Sequence, residues 1–137
     1  MKCFKGVKAY VEDKGVVNAD ICFNERIIST EKAEGEEIIL PTGAIVVPGF
    51  IDLHIHGAGG SDTMDGNSQA LKTIGQTLVK EGTVGFLATT MTQSEENIER
   101  ALTAVKEFKD TDGARVLGVH LEGPFISPDF AGAPPKK

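Results

Sequence analysis

"PGFIDLHIHGAGGSDTMD", residues 48 to 65, holds two of the chain's three histidines, His54 and His56, inside an apolar run that ends in glycines. Side chains two apart on a strand share a face, so a strand over "IDLHIH" projects both imidazoles together while Leu53 and Ile55 face the other way. At the C-terminal end of a parallel strand, where the sites of such sheets gather, this pair is a platform for Zn2+ or a similar ion. The third histidine, His120, stands in "RVLGVHLEGP" with Glu122 two residues on, the same spacing at the end of another strand. A lone buried histidine is usually a hydrogen-bonded core residue; three histidines and a glutamate at two strand ends read instead as a metal site. Asp52 either orients an imidazole through its second nitrogen or accepts a hydrogen bond at the strand start. "GAGGSD" lacks both the GK[ST] of a phosphate loop and the GxGxxG of a dinucleotide site, so it reads as a βα connection, with Asp62 and Asp65 as loop-capping carboxylates.

Outward from this stretch the pattern is strand, helix, strand, helix, strand. "SQALKTIGQTLVKEG" places Leu71, Ile74 and Leu78 at helical spacing and stops at Gly82. "VGFLATT" is a strand without charge. "SEENIERALTAVKEFKD" has an N-cap in Ser94, glutamates in its first turn, and a stripe of Ile98, Leu102, Val105 and Phe108. Charge-poor strands alternating with amphipathic helices imply a parallel sheet covered by helices, either an α/β barrel or a doubly wound sheet. A complete barrel takes eight such units and roughly 250 residues, against the three strands legible here. Upstream, "VKAYV", "GVVNADICF", "RIIST", "EIILP" and "AIVVP" are short bursts of β-formers between turn residues, the pattern of a small antiparallel β unit. The boundary is read as 1–49 for the β unit and 50–137 for the βα units.

Composition narrows the class. With 40% hydrophobic and 25% charged residues, the 137-residue chain has the balance of an ordinary globular protein. A net charge of −6 and the absence of a Lys/Arg cluster argue against nucleic acid or an anionic membrane as partner, since both need a basic footprint. No apolar run reaches the roughly 20 residues of a membrane helix. "MKCFKGVKAY" has no apolar leader segment, and Cys3 and Cys22 show no CxxC spacing, so the reading is a cytoplasmic protein without a disulfide framework.

Beyond spacing, "VVPGFIDLHIHG" resembles the entrance to the amidohydrolase superfamily, where a β-sandwich strand leads into the first barrel strand and its HxH pair. "GVHLEGPFISP" is similar, more specifically, to the N-acetylglucosamine-6-phosphate deacetylase family. The resemblance implies an α/β fold: a partial TIM-like (β/α) barrel, its first three strands, preceded by a small β-sandwich portion. It implies a divalent metal, zinc foremost with iron or another ion as alternatives. His54 and His56 fall to one metal position and Glu122 to a second, or to a bridge between them. Two ions are possible because both histidines are kept where some relatives carry amides. His120 and Asp52 stand behind the ligands. "AGAPP" matches a sugar-binding loop, which assigns Gly132 and Ala133 to substrate contact, with Pro134 where relatives often carry a polar residue. The substrate implied is a small amino-sugar phosphate, hydrolysed at its acetamide, and the full-length family protein is expected to be a homo-oligomer, a dimer. The family's general base is an aspartate on the last barrel strand. No residue of this sequence corresponds to it, so the catalytic base is unknown and the chain alone is expected to be inactive. Two other readings stay open: another amidohydrolase such as a cyclic-amide hydrolase, and a non-catalytic fragment or interaction module.

Overall fold

Apolar and β-branched residues with turn formers between them pair into sheet at the N-terminus, and helical periodicity begins after residue 67. The computed structural model describes residues 1–32, 34–109 and 112–130, and the chain divides into two units, Met1–Pro48 and Gly49–Lys137. Gly132 and Ala133 lie outside the described residues.

In the first unit, β1 (Lys2–Val11) and β2 (Gly15–Phe23) form an antiparallel hairpin, with β3 (Ile27–Ser29) antiparallel on β2. The two-residue strands β4 (Glu36–Glu37) and β5 (Ile45–Val46) both add to β1 in parallel, which corrects the expectation of an all-antiparallel unit. These five strands make a single sheet, and a second layer of the expected sandwich is not found among the described residues. Cys3 and Cys22 are register partners across β1 and β2 and are joined as a disulfide. That corrects the reading of two unpaired cysteines: a separation of 19 residues is closed by one hairpin. Both are fully buried, and Ala9 and Ile21 are the other buried apolar side chains of this unit among the described residues.

The second unit builds a parallel sheet in the order β10 (Arg115–His120), β9 (Thr83–Thr89), β6 (Phe50–Ile55). β6 carries His54, and His56 follows directly on its last residue. "GAGGSD" folds as a short hairpin, β7 (Gly57–Ala58) with β8 (Ser61–Asp62), turning through Gly59 and Gly60, both at positive φ. A single 3-10 turn over Thr63–Asp65 follows, capped by Asp62 and Asp65 in a reciprocal capping box. Helix α1 (Ser68–Leu78), capped by Asn67, crosses to β9 (Thr83–Thr89). Helix α2 (Glu95–Glu107), capped by Ser94 as expected, crosses to β10 (Arg115–His120).

One sheet face is covered by these helices. Leu71, Ile74 and Leu78 of α1 pack with Phe86, Ala88, Ala104 and Ala114, and Ile55 and Val116 border the cluster. On α2 the expected stripe packs inward, Ile98 buried and Leu102, Val105 and Phe108 half-buried against the core, and Ala101 and Ala104, both buried, widen it. Small residues there let α2 approach the sheet closely. Because Phe86 and Ala88 face the helices, alternation turns Gly85 and Leu87 to the opposite face. There Leu117, half exposed, covers the place a Gly85 Cβ would occupy.

Phe86 is the largest fully buried side chain. Phe86→Ala is expected to destabilise the chain by about 3–5 kcal/mol, from lost burial plus the cavity left behind. Asn67→Ala, which removes the cap accepted from the Ala70 N–H at 2.9 Å, is expected to cost about 1 kcal/mol. Urea unfolding followed by circular dichroism measures both.

Candidate metal centre

Neighbouring strands lie about 4.8 Å apart, so β6 and β10, with β9 between them, are roughly 10 Å apart. Only long side chains that reach over β9 from both sides can meet, and His54, His56, His120 and Glu122 do. His54 Nε2–H donates to Glu122 Oε2 at 2.9 Å, and His56 Nε2 stands 3.4 Å from the same oxygen. One donor atom from each of His54, His56 and Glu122 lies within 4.8 Å of the others, a group of the kind that can hold a metal ion. The His54 and His56 rings are edge to face at 5.3 Å, as expected for side chains two apart on one strand face. Exposure grades across the site, from 51% for the His54 side chain to 34% for His56 and 26% for Glu122. The trio therefore sits in a partly sheltered opening at the C-terminal edge of the sheet.

The residues expected behind the ligands take different places. His120 closes on the trio: its ring lies 4.3 Å from that of His54, and its Nδ1 is 2.8 Å from the Leu53 carbonyl. A carbonyl only accepts, so Nδ1 carries the proton in this contact. Asp52 does not touch an imidazole. Its Oδ1 accepts the His54 backbone N–H at 3.0 Å, so the strand hydrogen bond is what the structure shows and the ring-orienting alternative is corrected. Asp62 and Asp65 are engaged in the capping box described above, and Thr63 N–H donates to the His56 carbonyl at 2.7 Å. His56 Nδ1 is buried and without a hydrogen-bond partner among the described residues.

Two residues that the sequence reading passed over touch both ligand-bearing segments. Thr89 Oγ1 accepts the Ile55 N–H at 2.9 Å, and Thr90 Oγ1 accepts the Glu122 N–H at 3.1 Å. The signal available in the sequence was two consecutive hydroxyl residues closing an otherwise apolar strand. Beyond Glu122 the chain turns sharply at Gly123, whose φ is +76° and whose absent side chain leaves room for Thr92: a Cβ there would overlap the Thr92 hydroxyl.

A parallel sheet, helices on one face, and imidazole and carboxylate donors meeting at the strand ends define the class of α/β proteins that carry their site at the C-terminal edge of a sheet. The chain belongs to the amidohydrolase family, whose model matches residues 45–137. It is 41% identical over 144 residues to an N-acetylglucosamine-6-phosphate deacetylase of Bacillus subtilis, covering 97% of this chain and 36% of that relative. A deacetylase of the same name from Lysinibacillus sphaericus is 47% identical over 105 residues, covering 75% of this chain and 27% of that protein. The crystal structure of the Thermotoga maritima N-acetylglucosamine-6-phosphate deacetylase superposes with a TM-score of 0.76 at 32% identity, over 96% of this chain and 34% of that one. The chain thus spans about a third of the length of these relatives. No helix among the described residues is long and apolar enough to cross a membrane.

Gly123→Ala is expected to destabilise the chain by more than about 1 kcal/mol, since it combines positive φ with an occupied side-chain volume. Loss of thermal stability relative to the unaltered chain, by calorimetry, is the check.

Proposed function

We propose that this chain is part of a metal-dependent deacetylase that hydrolyses the acetamide of N-acetylglucosamine 6-phosphate to glucosamine 6-phosphate and acetate. The observation that carries the reading is the convergence of His54, His56 and Glu122 at one sheet edge, in a chain of the amidohydrolase family whose relatives bear that deacetylase name. On this reading β6, β9 and β10 are the first three strands of a (β/α)8 barrel, and the first unit is part of a β-sandwich.

The donor set suits a divalent ion. Four ligands at about 2.0–2.2 Å around tetrahedral zinc stand about 3.3–3.6 Å from one another; the His56 Nε2 to Glu122 Oε2 separation of 3.4 Å falls in that range, and the His54 Nε2 to Glu122 Oε2 hydrogen bond of 2.9 Å would have to open by a few tenths of an ångström to admit the ion. Two imidazoles and one carboxylate with an open fourth position is a catalytic rather than a structural zinc set; a second ion, or iron in place of zinc, fits the same ligand types. Such an ion supplies Lewis acidity: it polarises a carbonyl oxygen and makes water a better nucleophile at neutral pH. The chain's own residues hold and aim. His54 and His56 present Nε2 from one strand, Glu122 closes the third side, and His120 braces the His54 ring while its Nδ1–H grips the Leu53 carbonyl. Gly132 and Ala133 are assigned to substrate contact on the motif alone. The substrate's phosphate monoester carries about two negative charges and does not diffuse through a bilayer, which supports a cytoplasmic site of action. The Cys3–Cys22 bond is the feature that argues for an oxidising compartment.

Zinc titrated calorimetrically into the metal-free chain should bind. His54→Ala, His56→Ala and Glu122→Gln should each weaken binding at least about tenfold, since each removes a ligand and not merely a supporting contact. Substituting this chain for the matching stretch of the Bacillus subtilis relative tests the activity. The chimera should release acetate from N-acetylglucosamine 6-phosphate, and Glu122→Gln within it should abolish release. A Glu122→Gln chimera as active as its parent would refute the reading.

A further inference from the structure

The middle strand contributes no donor to the trio, yet it touches both segments that do. The β6–β9 ladder loses its regular register between Asp52 and Ile55, across the residues that carry the first histidine. At that break the Ile55 N–H, which lies between His54 and His56, goes to the Thr89 hydroxyl at 2.9 Å. The Thr89 hydroxyl in turn donates to the Leu87 carbonyl at 3.3 Å, so both its roles are used. On the other side β10 ends at His120, and Glu122 lies past the ladder. There Thr90 N–H donates to the His120 carbonyl at 3.1 Å, and the Thr90 hydroxyl accepts the Glu122 N–H at 3.1 Å. Both threonines are fully buried, so water does not compete for these bonds. Where backbone pairing gives out at each ligand segment, a threonine hydroxyl replaces it, Thr89 from the last residue of β9 and Thr90 from the residue after it.

We propose that Thr89 and Thr90 are positioning residues for the metal centre: Thr89 sets the HxH segment and Thr90 sets Glu122, so that donors from two non-adjacent strands meet at one point. The inference rests on the metal reading above. It assigns a purpose to a pair of buried hydroxyls that packing alone does not require, since valine fills the same volume.

The test compares Thr89→Val, Thr90→Val, Thr89→Ser and Thr90→Ser in the full chain, with Thr83→Val, at the opposite end of β9, as control. Amide hydrogen exchange followed by NMR on the metal-free chain reads the clamps directly. Thr89→Val should selectively speed exchange at Ile55, and Thr90→Val at Glu122. Zinc titration of the folded variants reads their purpose: both valine variants should bind about 10- to 100-fold more weakly, while the serine variants and Thr83→Val should stay within about twofold. Valine variants that lose stability but bind zinc like the unaltered chain would reduce the threonines to packing and overturn the inference. If the unaltered chain binds no zinc, the metal reading falls, and the clamps are judged on exchange alone. Unchanged exchange at Ile55 and Glu122 would then overturn them, and selective deprotection would uphold them.

Discussion

Parallel pairing of β6 and β10 on the two sides of β9 is the constraint on which the site depends. Parallel strands joined by crossing helices bring all their C-terminal ends to one edge, so residues far apart in sequence end at the same level. His54 and Glu122, 68 residues apart, meet at 2.9 Å for this reason. The pairing is kept by the helix-covered face, where Phe86, Ala88, Leu71 and Ile74 are buried together. Burial of one such large side chain contributes on the order of 2–3 kcal/mol, so the helix-covered face carries the energy, while the opposite face, which holds the half-exposed Leu117, gives the polar ligands room at its C-terminal edge.

The contacts within the trio do not have that weight. Partly exposed ion pairs and hydrogen bonds of this kind contribute about 0–1 kcal/mol, and the His54 side chain is half exposed. Gathering two imidazoles, a third histidine ring and a carboxylate at one edge therefore gains little stability. The surrounding backbone is nevertheless bound with care: Asp52 accepts the His54 N–H, Thr89 the Ile55 N–H, His120 donates to the Leu53 carbonyl, and Thr90 accepts the Glu122 N–H. Four side chains spent on holding the main chain around three donors is the pattern of a site whose geometry matters more than its contribution to folding.

The first unit works under a different constraint. Among its described residues few apolar side chains are buried, namely Cys3, Cys22, Ala9 and Ile21, while Ile27, Ile28 and Ile39 are exposed. The Phe4 and Phe23 rings, 5.2 Å apart, add a tilted aromatic contact on the same hairpin. A sheet with so little buried surface gains from a covalent link between its two long strands, because the link removes conformational freedom from the unfolded chain.

Much of the second unit was legible in the sequence because the relevant signals are local. Period-two alternation put His54 and His56 on one face, helical spacing and the cap at Ser94 are set by adjacent residues, and Asp62 and Asp65 were recognisable as loop caps. The resemblance of "HLEGPF" singled out Glu122. Tertiary structure alone decided the rest. Sequence spacing cannot say that Asp52 turns to the backbone and His120 to the His54 ring, because both outcomes depend on where the neighbouring strand lies. The parallel addition of β4 and β5 to β1, and the closure of Cys3 onto Cys22, follow from strand register, which no single strand encodes. Thr89 and Thr90 looked like the end of an apolar strand; only their place between two ligand-bearing strands, where the backbone ladders stop, gives their hydroxyls something to hold.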